Sequence, residues 1–381
     1  MSPALASKPH YPILDGLRGV AALLVVAFHL FEAHATSHQT QLINHGYLAV
    51  DFFFLLSGFV IGYAYNDRWG RMSLGNFVRR RLVRLQPLVV LGMVVGALLF
   101  YFQTCPQMPL VAQTPGWKVL LYTLLGSLML PVPPALDIRG WQETYPLNGP
   151  GWSLFYEYVA NVLYAGLVRR FSRAALAVLV ALAGAALLHY ALTAPSGDMA
   201  GGWSLNAEQI RVGLTRVMYP FFAGLLLFRS VRPGRVPHAF LWSSLLVAVV
   251  LVLPRIGGPG QPWLNGLYEA LCILLVFPLV IYLGISGELL GAGSRKLCRF
   301  LGDISYPIYI THYPLIYAYT AWVLNHKVSV QDGLPVAAAT FAAAVALAYA
   351  SLKLYDEPVR RWLQRKLPAP QVRPPAEGIP A

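Results

Sequence analysis

Ionisable side chains lie inside the apolar segments of this 381-residue sequence, and the first segment contains Asp15, Arg18 and His29. Arg18 and His29 are eleven residues apart. On an α-helix this spacing is about three turns, which places both side chains on one face about 16 Å apart along the axis. Asp15 lies one turn before Arg18 and is placed to pair with it. The alternative is that His29 is a structural histidine that only fills space.

Two carboxylates are expected at the depth of His29. Asp51 opens the second apolar segment, and Glu157 lies about two turns into the fourth, between Ser153 and Asn161 on a polar stripe at i, i+4 and i+8. A neutral imidazole held by a carboxylate is typical of a group that takes a proton from a hydroxyl. We therefore expect His29 to act as a general base oriented by Asp51 or Glu157.

A second group of candidates lies toward the opposite membrane face. Four arginines fall within six residues, at positions 79, 80, 81 and 84. Guanidinium groups bind phosphates through two hydrogen bonds, so this cluster could hold a phosphorylated ligand. The alternative is ordinary charge that sets membrane topology.

The ninth apolar segment adds Ser305, Tyr309 and His312 on one predicted helix face, and Pro307 and Pro314 are expected to kink that helix. In the second segment, Gly58 and Gly62 have a spacing that lets two helices approach closely.

Composition predicts the kind of protein that must position these residues. Hydrophobic residues make up 57% of the chain and charged residues only 12%, whereas soluble proteins average about a quarter charged residues. These values exclude a soluble enzyme, a collagen-like rod and a disordered regulator. The net charge of +13 does not indicate nucleic-acid binding, because the basic residues are spread between apolar segments. The 3 cysteines have neither disulfide nor metal-ligand spacing, so no metal is expected.

The sequence therefore predicts an all-α polytopic membrane protein of about ten spans, each of about 20 apolar residues. The predicted spans are residues 12–31, 47–65, 85–102, 151–168, 174–193, 214–231, 239–254, 264–286, 304–325 and 335–355.

An eleventh apolar stretch, residues 117–130, is short and lies between two prolines. If it is re-entrant or interfacial, every basic cluster falls on the cytoplasmic side together with both termini. We expect an integral-membrane domain over residues 1–366 and a Pro-rich, disordered tail over 367–381. Residues 33–35 resemble a leader cleavage site, but Asp15 and Arg18 argue against a cleaved leader.

Six ordered motifs in this sequence resemble those of membrane acyltransferase family 3. Residues 14–19 with His29 are similar to the opening arginine–histidine signature of the family, and residues 46–59 are similar to its second motif. The basic motif matches residues 80–87. The remaining matches are Trp152-Ser153-Leu154 with Glu157, residues 301–306 with His312, and residues 357–360. The family commonly has a longer acidic stretch after its Trp-Ser-Leu motif, where this chain has Glu157 alone.

The resemblance implies an O-acyltransferase of the bacterial inner membrane. It would move an acyl group, with acetyl favoured, from cytoplasmic acyl-coenzyme A to a hydroxyl of a carbohydrate or glycolipid at the outer face. By this resemblance, His29 and Arg18 are catalytic, and Arg81 and Arg84 bind the donor. Their expected depth adds Asp51 and Glu157 to the catalytic candidates, and Trp152 and Ser153 are expected to contact the acceptor. The residues expected to bind the donor are Arg80, Arg81, Arg84, Ser305, Tyr306 and His312. Polysaccharide-biosynthesis proteins are possible partners.

Three alternatives remain open from the residues. A covalent acyl-histidine would replace direct transfer. A transporter or flippase of a polysaccharide or lipid-linked sugar would also place charges within spans, but it predicts repeated halves that this sequence does not show. A structural or sensor membrane protein gives no reason for His29, Asp51 and Glu157 to share a depth.

Overall fold

The computed structural model describes residues 11–37, 40–70, 72–289 and 291–366, and the regular structure of these residues is helical. The expected disordered tail lies outside the described residues. In chain order the α-helices are α1 (Pro12–Glu32), α2 (Ala49–Tyr65), α3 (Leu74–Leu99), α4 (Gly116–Ser127), α5 (Gly151–Gly166), α6 (Arg173–Thr193), α7 (Ala207–Ser230), α8 (Ala239–Val252), α9 (Pro262–Leu271), α10 (Phe277–Ser286), α11 (Ala292–Thr311), α12 (Tyr313–His326), α13 (Val330–Ala350) and α14 (Glu357–Lys366). Short π-helical turns join α9 to α10 and α13 to α14.

Each predicted span corresponds to a helix or a joined pair of helices. Within the described residues, 7 helices are long and apolar enough to cross a membrane: Pro12–Glu32, Gly46–Tyr65, Leu74–Gln103, Arg173–Thr193, Ala207–Ser230, Pro262–Ser286 and Val330–Lys366. The other three predicted spans correspond to α5, to the shorter apolar helix α8, and to α11 with α12. The prediction of an all-α integral membrane protein is confirmed.

The short apolar stretch before Pro131 forms α4, which has only 12 residues. At 1.5 Å per residue this helix is about 18 Å long, whereas the hydrocarbon core is about 30 Å thick. Trp117 and Leu120 on one side are 63% and 72% exposed, and Val119 and Tyr122 on the other side are buried. Its length agrees with the predicted failure to cross, and the side on which it lies stays a prediction.

The arginine cluster lies inside α3, which begins earlier than expected. The Oγ of Ser73 accepts a hydrogen bond from the amide of Asn76 at 3.2 Å, which is a typical helix N-cap. The helix therefore starts at Leu74, and its first three turns contain the arginines. Positions on a helix that are three apart share a face, so Arg81 and Arg84 project together.

The ninth predicted span is divided into α11 and α12 at the single residue His312. The backbone of His312 is still helical, with φ −74° and ψ −38°, and its amide donates to the carbonyl of Ile308 at 3.0 Å. Pro314 has no amide hydrogen, so the ladder of hydrogen bonds is interrupted locally where a kink was predicted. His312 is completely buried at this point.

The α2 and α7 helices pack closely because glycines remove side chains from their contact. A Cβ on Gly58 would overlap the carbonyl oxygen of Phe221, and a Cβ on Gly224 would overlap that of Leu55. Gly62 lies one turn further along the same seam, against Phe228. The predicted close approach of Gly58 and Gly62 to another helix is confirmed, and it brings α2 beside α7.

We predict that Gly58→Ala lowers stability, because the added methyl group forces α2 and α7 apart. Overpacking of this kind costs about 1–3 kcal/mol. Gly75→Ala is the matched control, since Gly75 is helical and no atom lies within 4 Å of its added Cβ. Thermal unfolding of the detergent-purified variants measures the effect. Equal melting temperatures for the two variants would contradict the close α2–α7 seam.

Candidate active site

His29 lies in the last turn of α1 and faces a cavity of about 510 Å³, which we call the larger cavity. Its Nδ1 is 2.6 Å from Oε2 of Glu32, one turn later in the same helix. An ionised carboxylate only accepts hydrogen bonds, so Nδ1–H donates to Glu32 and Nε2 is left as an acceptor. His29 and Glu32 therefore have the arrangement of a general base and the carboxylate that orients it.

The walls of the larger cavity are rich in aromatic rings and contain a few polar groups. The aromatic residues are Phe28, Tyr47, Trp141, Trp152, Trp203, Tyr309, Tyr313 and Tyr317. The polar residues, besides His29 and Glu32, are Gln107, Glu143, Arg216 and Thr320. Apolar walls with a small number of placed polar groups are typical of sites that bind organic molecules.

Three arginines line a second cavity of about 110 Å³, which we call the smaller cavity: Arg18, Arg81 and Arg84. Among the residues that line it, Glu157 is the one carboxylate. The excess of guanidinium groups favours an anionic ligand, and phosphate is the anion that matches their fork geometry.

Arg18 is held in place by hydrogen bonds from both sides. Its Nη2 donates to Oδ1 of Asp15 at 2.8 Å, which confirms the predicted pair within α1. Its Nε donates to Oγ of Ser305 at 2.8 Å, which ties α1 to α11. Tyr306, next to Ser305, lines the same cavity and donates its hydroxyl hydrogen to the carbonyl of Leu85 at 2.8 Å. Ser305 and Tyr306 thus lie beside the arginines, as expected.

Arg81 and Arg84 differ in their partners. The Nη2 of Arg81 donates to Oε1 of Glu157 at 2.7 Å, and the same oxygen accepts from the hydroxyl of Ser57 at 2.6 Å. Within the described residues, Arg84 makes no hydrogen bond or ion pair, although it lines the smaller cavity. Arg84 is therefore the guanidinium group that is free to bind a ligand.

Arg80 is exposed and is not among the residues that line the smaller cavity. Arg80 and Arg84 are four positions apart and lie on the same side of α3. Arg81 and Arg84 line the smaller cavity and Arg80 does not, so the structure does not bring Arg80 into this cavity with them.

The two cavities share a wall formed by Val50 and Tyr309, which line both. The hydroxyl groups of Tyr309 and Ser153 lie 2.5 Å apart and form a hydrogen bond across this wall. Of the two residues expected to contact an acceptor, Trp152 lines the larger cavity and Ser153 the smaller. A ligand that reached from the arginines to His29 would pass Tyr309.

Asp51 does not contact His29, contrary to expectation. Both residues of the Asp51–Arg216 pair are fully buried, and Nη2 of Arg216 lies 2.6 Å from Oδ2 of Asp51. Arg216 also donates to the carbonyl of Tyr47 at 2.7 Å and to that of Gly201 at 3.0 Å. Asp51 therefore joins α2 to α7, because its face of α2 points toward α7 and away from α1.

Glu157 does not contact His29 either. Its carboxylate is occupied by Arg81 and Ser57 in the smaller cavity. Asn161, the third residue of the predicted polar stripe, uses its side chain within the helix. Its amide donates to the backbone carbonyl of Glu157 at 2.7 Å. Depth in the membrane was predicted for these groups, and depth alone does not fix the direction in which a helix face points.

His312 lies beside His29 and not among the arginines where it was expected. The two imidazoles are stacked with ring centroids 5.7 Å apart. Nδ1 of His312 lies 2.8 Å from the carbonyl oxygen of Ile308, and its Nε2 is buried without a partner in the described residues.

The structure adds Glu32 and Arg216 to the candidate residues. Glu32 follows His29 at i+3, which is the spacing of a helical pair, so the sequence contained this signal. Arg216 lies within a predicted span, where an ionisable residue is itself an indication of function. Glu143 and Tyr313 of the larger cavity had no comparable signal. Within the described residues, no group of three or more His, Cys, Asp or Glu side chains could hold a metal ion.

We predict that Asp51→Asn destabilises the fold, because it leaves the buried Arg216 charge without its counterion. Removing one partner of a buried ion pair costs about 3–5 kcal/mol. The double variant Asp51→Leu with Arg216→Met is expected to recover most of this loss, since it removes both charges. Thermal unfolding in detergent measures both. A single variant as stable as the parent protein would contradict the buried pair.

Comparison with known proteins identifies one protein family. The family model described as an acyltransferase domain, Acyl_transf_3, matches residues 11–353. No solved structure gives a significant match.

Three curated relatives illustrate the range of similarity. Protein 2 in the picA locus of Rhizobium radiobacter is 37% identical over 161 residues, which are 40% of this chain and 80% of that protein. The acyltransferase MdmB of Streptomyces mycarofaciens is 28% identical over 80% of this chain and 79% of its own length. The O-acetyltransferase OatA of Staphylococcus aureus is 25% identical over 86% of this chain, and the match spans only 53% of OatA.

The family model covers nearly the whole helical bundle, including both cavities and the residues that line them. Its description agrees with a site that pairs a histidine–carboxylate dyad with an arginine-lined cavity, and it removes the transporter alternative. The chain belongs to the membrane acyltransferase family 3, and it is an acyltransferase.

Proposed function

We propose that this protein transfers an acyl group from acyl-coenzyme A to a hydroxyl of a carbohydrate acceptor. The observation that carries the proposal is the adjacency of two unlike cavities, one lined by three arginines and the other containing His29 and Glu32. Their common wall at Tyr309 and Val50 separates a site for an anion from a site for a hydroxyl-bearing ligand.

Arg81 and Arg84 are proposed to bind the phosphates of the donor at the cytoplasmic side. The smaller cavity is too small for a whole nucleotide. It would therefore hold one phosphate group of the donor or part of its pantetheine arm. Arg84 has no partner in the described residues and would bind phosphate directly. Arg18 is already held by Asp15 and Ser305, and it would guide the chain of the donor past Tyr309 toward His29.

The chemistry follows from the orientation of His29. Nε2 takes the proton of the acceptor hydroxyl, whose oxygen attacks the thioester carbonyl of the donor. The carbon–sulfur bond breaks, and the coenzyme A thiolate takes the proton back from the imidazolium. Glu32 stabilises the imidazolium in the intermediate state. In the variant with an acyl-histidine, Nε2 attacks the thioester carbonyl, the carbon–sulfur bond breaks, and coenzyme A departs as the thiolate. The acceptor hydroxyl then attacks the acyl-imidazolium, the carbon–nitrogen bond breaks, and the hydroxyl proton goes to the thiolate, which restores neutral His29.

Acetyl is the proposed acyl group, in keeping with the relative OatA, an O-acetyltransferase. A carbohydrate or glycolipid is the proposed acceptor, because the larger cavity combines aromatic walls with dispersed polar groups. We further propose that the chain lies in the bacterial inner membrane with both termini cytoplasmic, as its loop charges indicate.

We predict that His29→Gln lowers turnover at least about a hundredfold, because a general base supplies about 10²–10⁴-fold. Binding of acyl-coenzyme A should be retained, since the proposed donor contacts lie about three helical turns away near Arg18. Acyl transfer by purified protein measures the first effect, and isothermal titration with coenzyme A measures the second.

The matched control for this experiment is His189→Gln, which changes an exposed histidine of α6 that lines neither cavity. Its turnover should equal that of the parent protein. If His29→Gln keeps more than about a tenth of the parent turnover at normal expression, His29 is not the base.

We predict that Arg84→Ala raises the KM for acyl-coenzyme A about tenfold or more, since a hydrogen bond to a charged group contributes about 1.5–3 kcal/mol. Arg80→Ala is the matched control, because Arg80 carries the same charge on the same helix and does not line the smaller cavity. Steady-state kinetics at varied donor concentration separates the two. Equal KM values would mean that the cluster serves only to set topology.

A further inference from the structure

Glu143 lies in the segment between α4 and α5 and lines the larger cavity with His29. The segment lies outside the predicted spans, and its carboxylate belongs to none of the six family-like motifs. The residue is only 6% exposed. A carboxylate buried to this degree must be hydrogen-bonded or serve a ligand, because burial without a partner is costly.

One oxygen of Glu143 is fixed by the protein. The hydroxyl of Tyr317 donates to Oε2 at 2.6 Å, and Nε of Arg139 lies 3.6 Å from the same oxygen. Arg139 is fully buried, and its hydrogens are directed mainly at the carbonyl of Pro146 and the side chain of Gln103. Its guanidinium group also lies 3.6 Å from the ring centroid of Tyr317. Arg139 thus positions the Tyr317–Glu143 pair.

The other oxygen, Oε1, makes no hydrogen bond within the described residues. It lies beside Gly149, whose added Cβ would be 2.8 Å from Oε1 and 2.8 Å from the ring of Tyr313. Gly149 also lines the larger cavity. The absence of a side chain there leaves room between the carboxylate and the space in front of Tyr313.

Aromatic rings connect Glu143 to His29. Tyr317 packs edge-on against Tyr313 with centroids 4.6 Å apart, and Tyr313 packs edge-on against His29 at 4.8 Å. The carboxylate and the imidazole therefore lie at two points of one aromatic wall. A rigid wall of this kind fixes the spacing of two polar groups that face the same ligand.

We propose that Glu143 is an acceptor-binding residue, whose Oε1 accepts a hydrogen bond from one hydroxyl while another hydroxyl of the same molecule faces Nε2 of His29. The ligand class is a polyhydroxylated ring, and the inference rests on the proposed function. A molecule with a single hydroxyl would occupy only one of the two polar points and would bind less tightly.

The charge of Glu143 is expected to control this contact. Burial raises the pKa of Glu143 to about 7, while Arg139 and the hydroxyl of Tyr317 oppose the rise. Asp137 and Glu32 also face it and add to the rise. The group is neutral below this pH and ionised above it. An ionised carboxylate accepts a stronger hydrogen bond, so the acceptor should bind more tightly as the pH rises from 6 to 8.

The test uses purified full-length protein, acetyl-coenzyme A, and the p-nitrophenyl glycosides of glucose, galactose, mannose and N-acetylglucosamine as acceptors. For the parent protein, the acceptor KM should fall between pH 6 and pH 8. In Glu143→Gln the KM should stay flat and lie about tenfold above the parent value at pH 8. The donor KM should not change. Glu208→Gln, an exposed carboxylate of α7 outside the cavity, is the matched control.

A second variant, Tyr317→Phe, tests the same proposal if Glu143→Gln folds poorly. The hydrogen bond from Tyr317 lowers the pKa of Glu143, so Tyr317→Phe should move the fall in acceptor KM to higher pH. An unchanged profile in both variants would overturn the role of Glu143 and leave the role of His29 standing. If the parent protein transfers acetyl to none of these glycosides, the proposal of a carbohydrate acceptor is itself contradicted.

Discussion

A charged group inside a membrane must find its partner within the protein, and this constraint determines how the helices of the bundle meet. An uncompensated charge at the centre of a span costs at least about 2.5–3.5 kcal/mol, and Arg216, Arg81 and Arg18 are each directed to a carboxylate or a hydroxyl. Arg216 meets Asp51 between α7 and α2, and Arg81 meets Glu157 between α3 and α5. Arg18 meets Ser305 between α1 and α11. These contacts hold together the helices that enclose both cavities.

The same pairs divide the interior into two chemical environments. Arg18, Arg81 and Arg84 line the smaller cavity, whereas Arg216 lines the larger one and is paired with Asp51. Within the described residues, Glu32 is the carboxylate at hydrogen-bond distance from His29. Tyr309 stands between the two environments and is bonded to Ser153. Positive charge in excess of carboxylates is therefore concentrated in the smaller cavity, where the anionic donor is proposed to bind.

The helical architecture and the pairing of Asp15 with Arg18 were predictable, because both follow from local spacing along one helix. The partners of Asp51 and Glu157 were not, since hydropathy gives the depth of a residue and not the direction in which its helix face points. His312 was expected beside the arginines because it shares a predicted helix face with Ser305, but it lies about two turns further along the helix and stacks on His29. Glu143 belongs to an irregular segment, and no periodic pattern predicts which of its side chains turns toward a cavity.

The central claim is that the donor reaches His29 from the arginine-lined cavity through the wall at Tyr309. The most direct measurement is a structure of the protein in a lipid nanodisc with a thioether analogue of acetyl-coenzyme A that cannot transfer its acyl group. We expect phosphate density against Arg84, the pantetheine arm beside Tyr309, and the carbonyl carbon in the larger cavity facing Nε2 of His29. Density that places the carbonyl away from His29, or the phosphates away from Arg81 and Arg84, would contradict this claim.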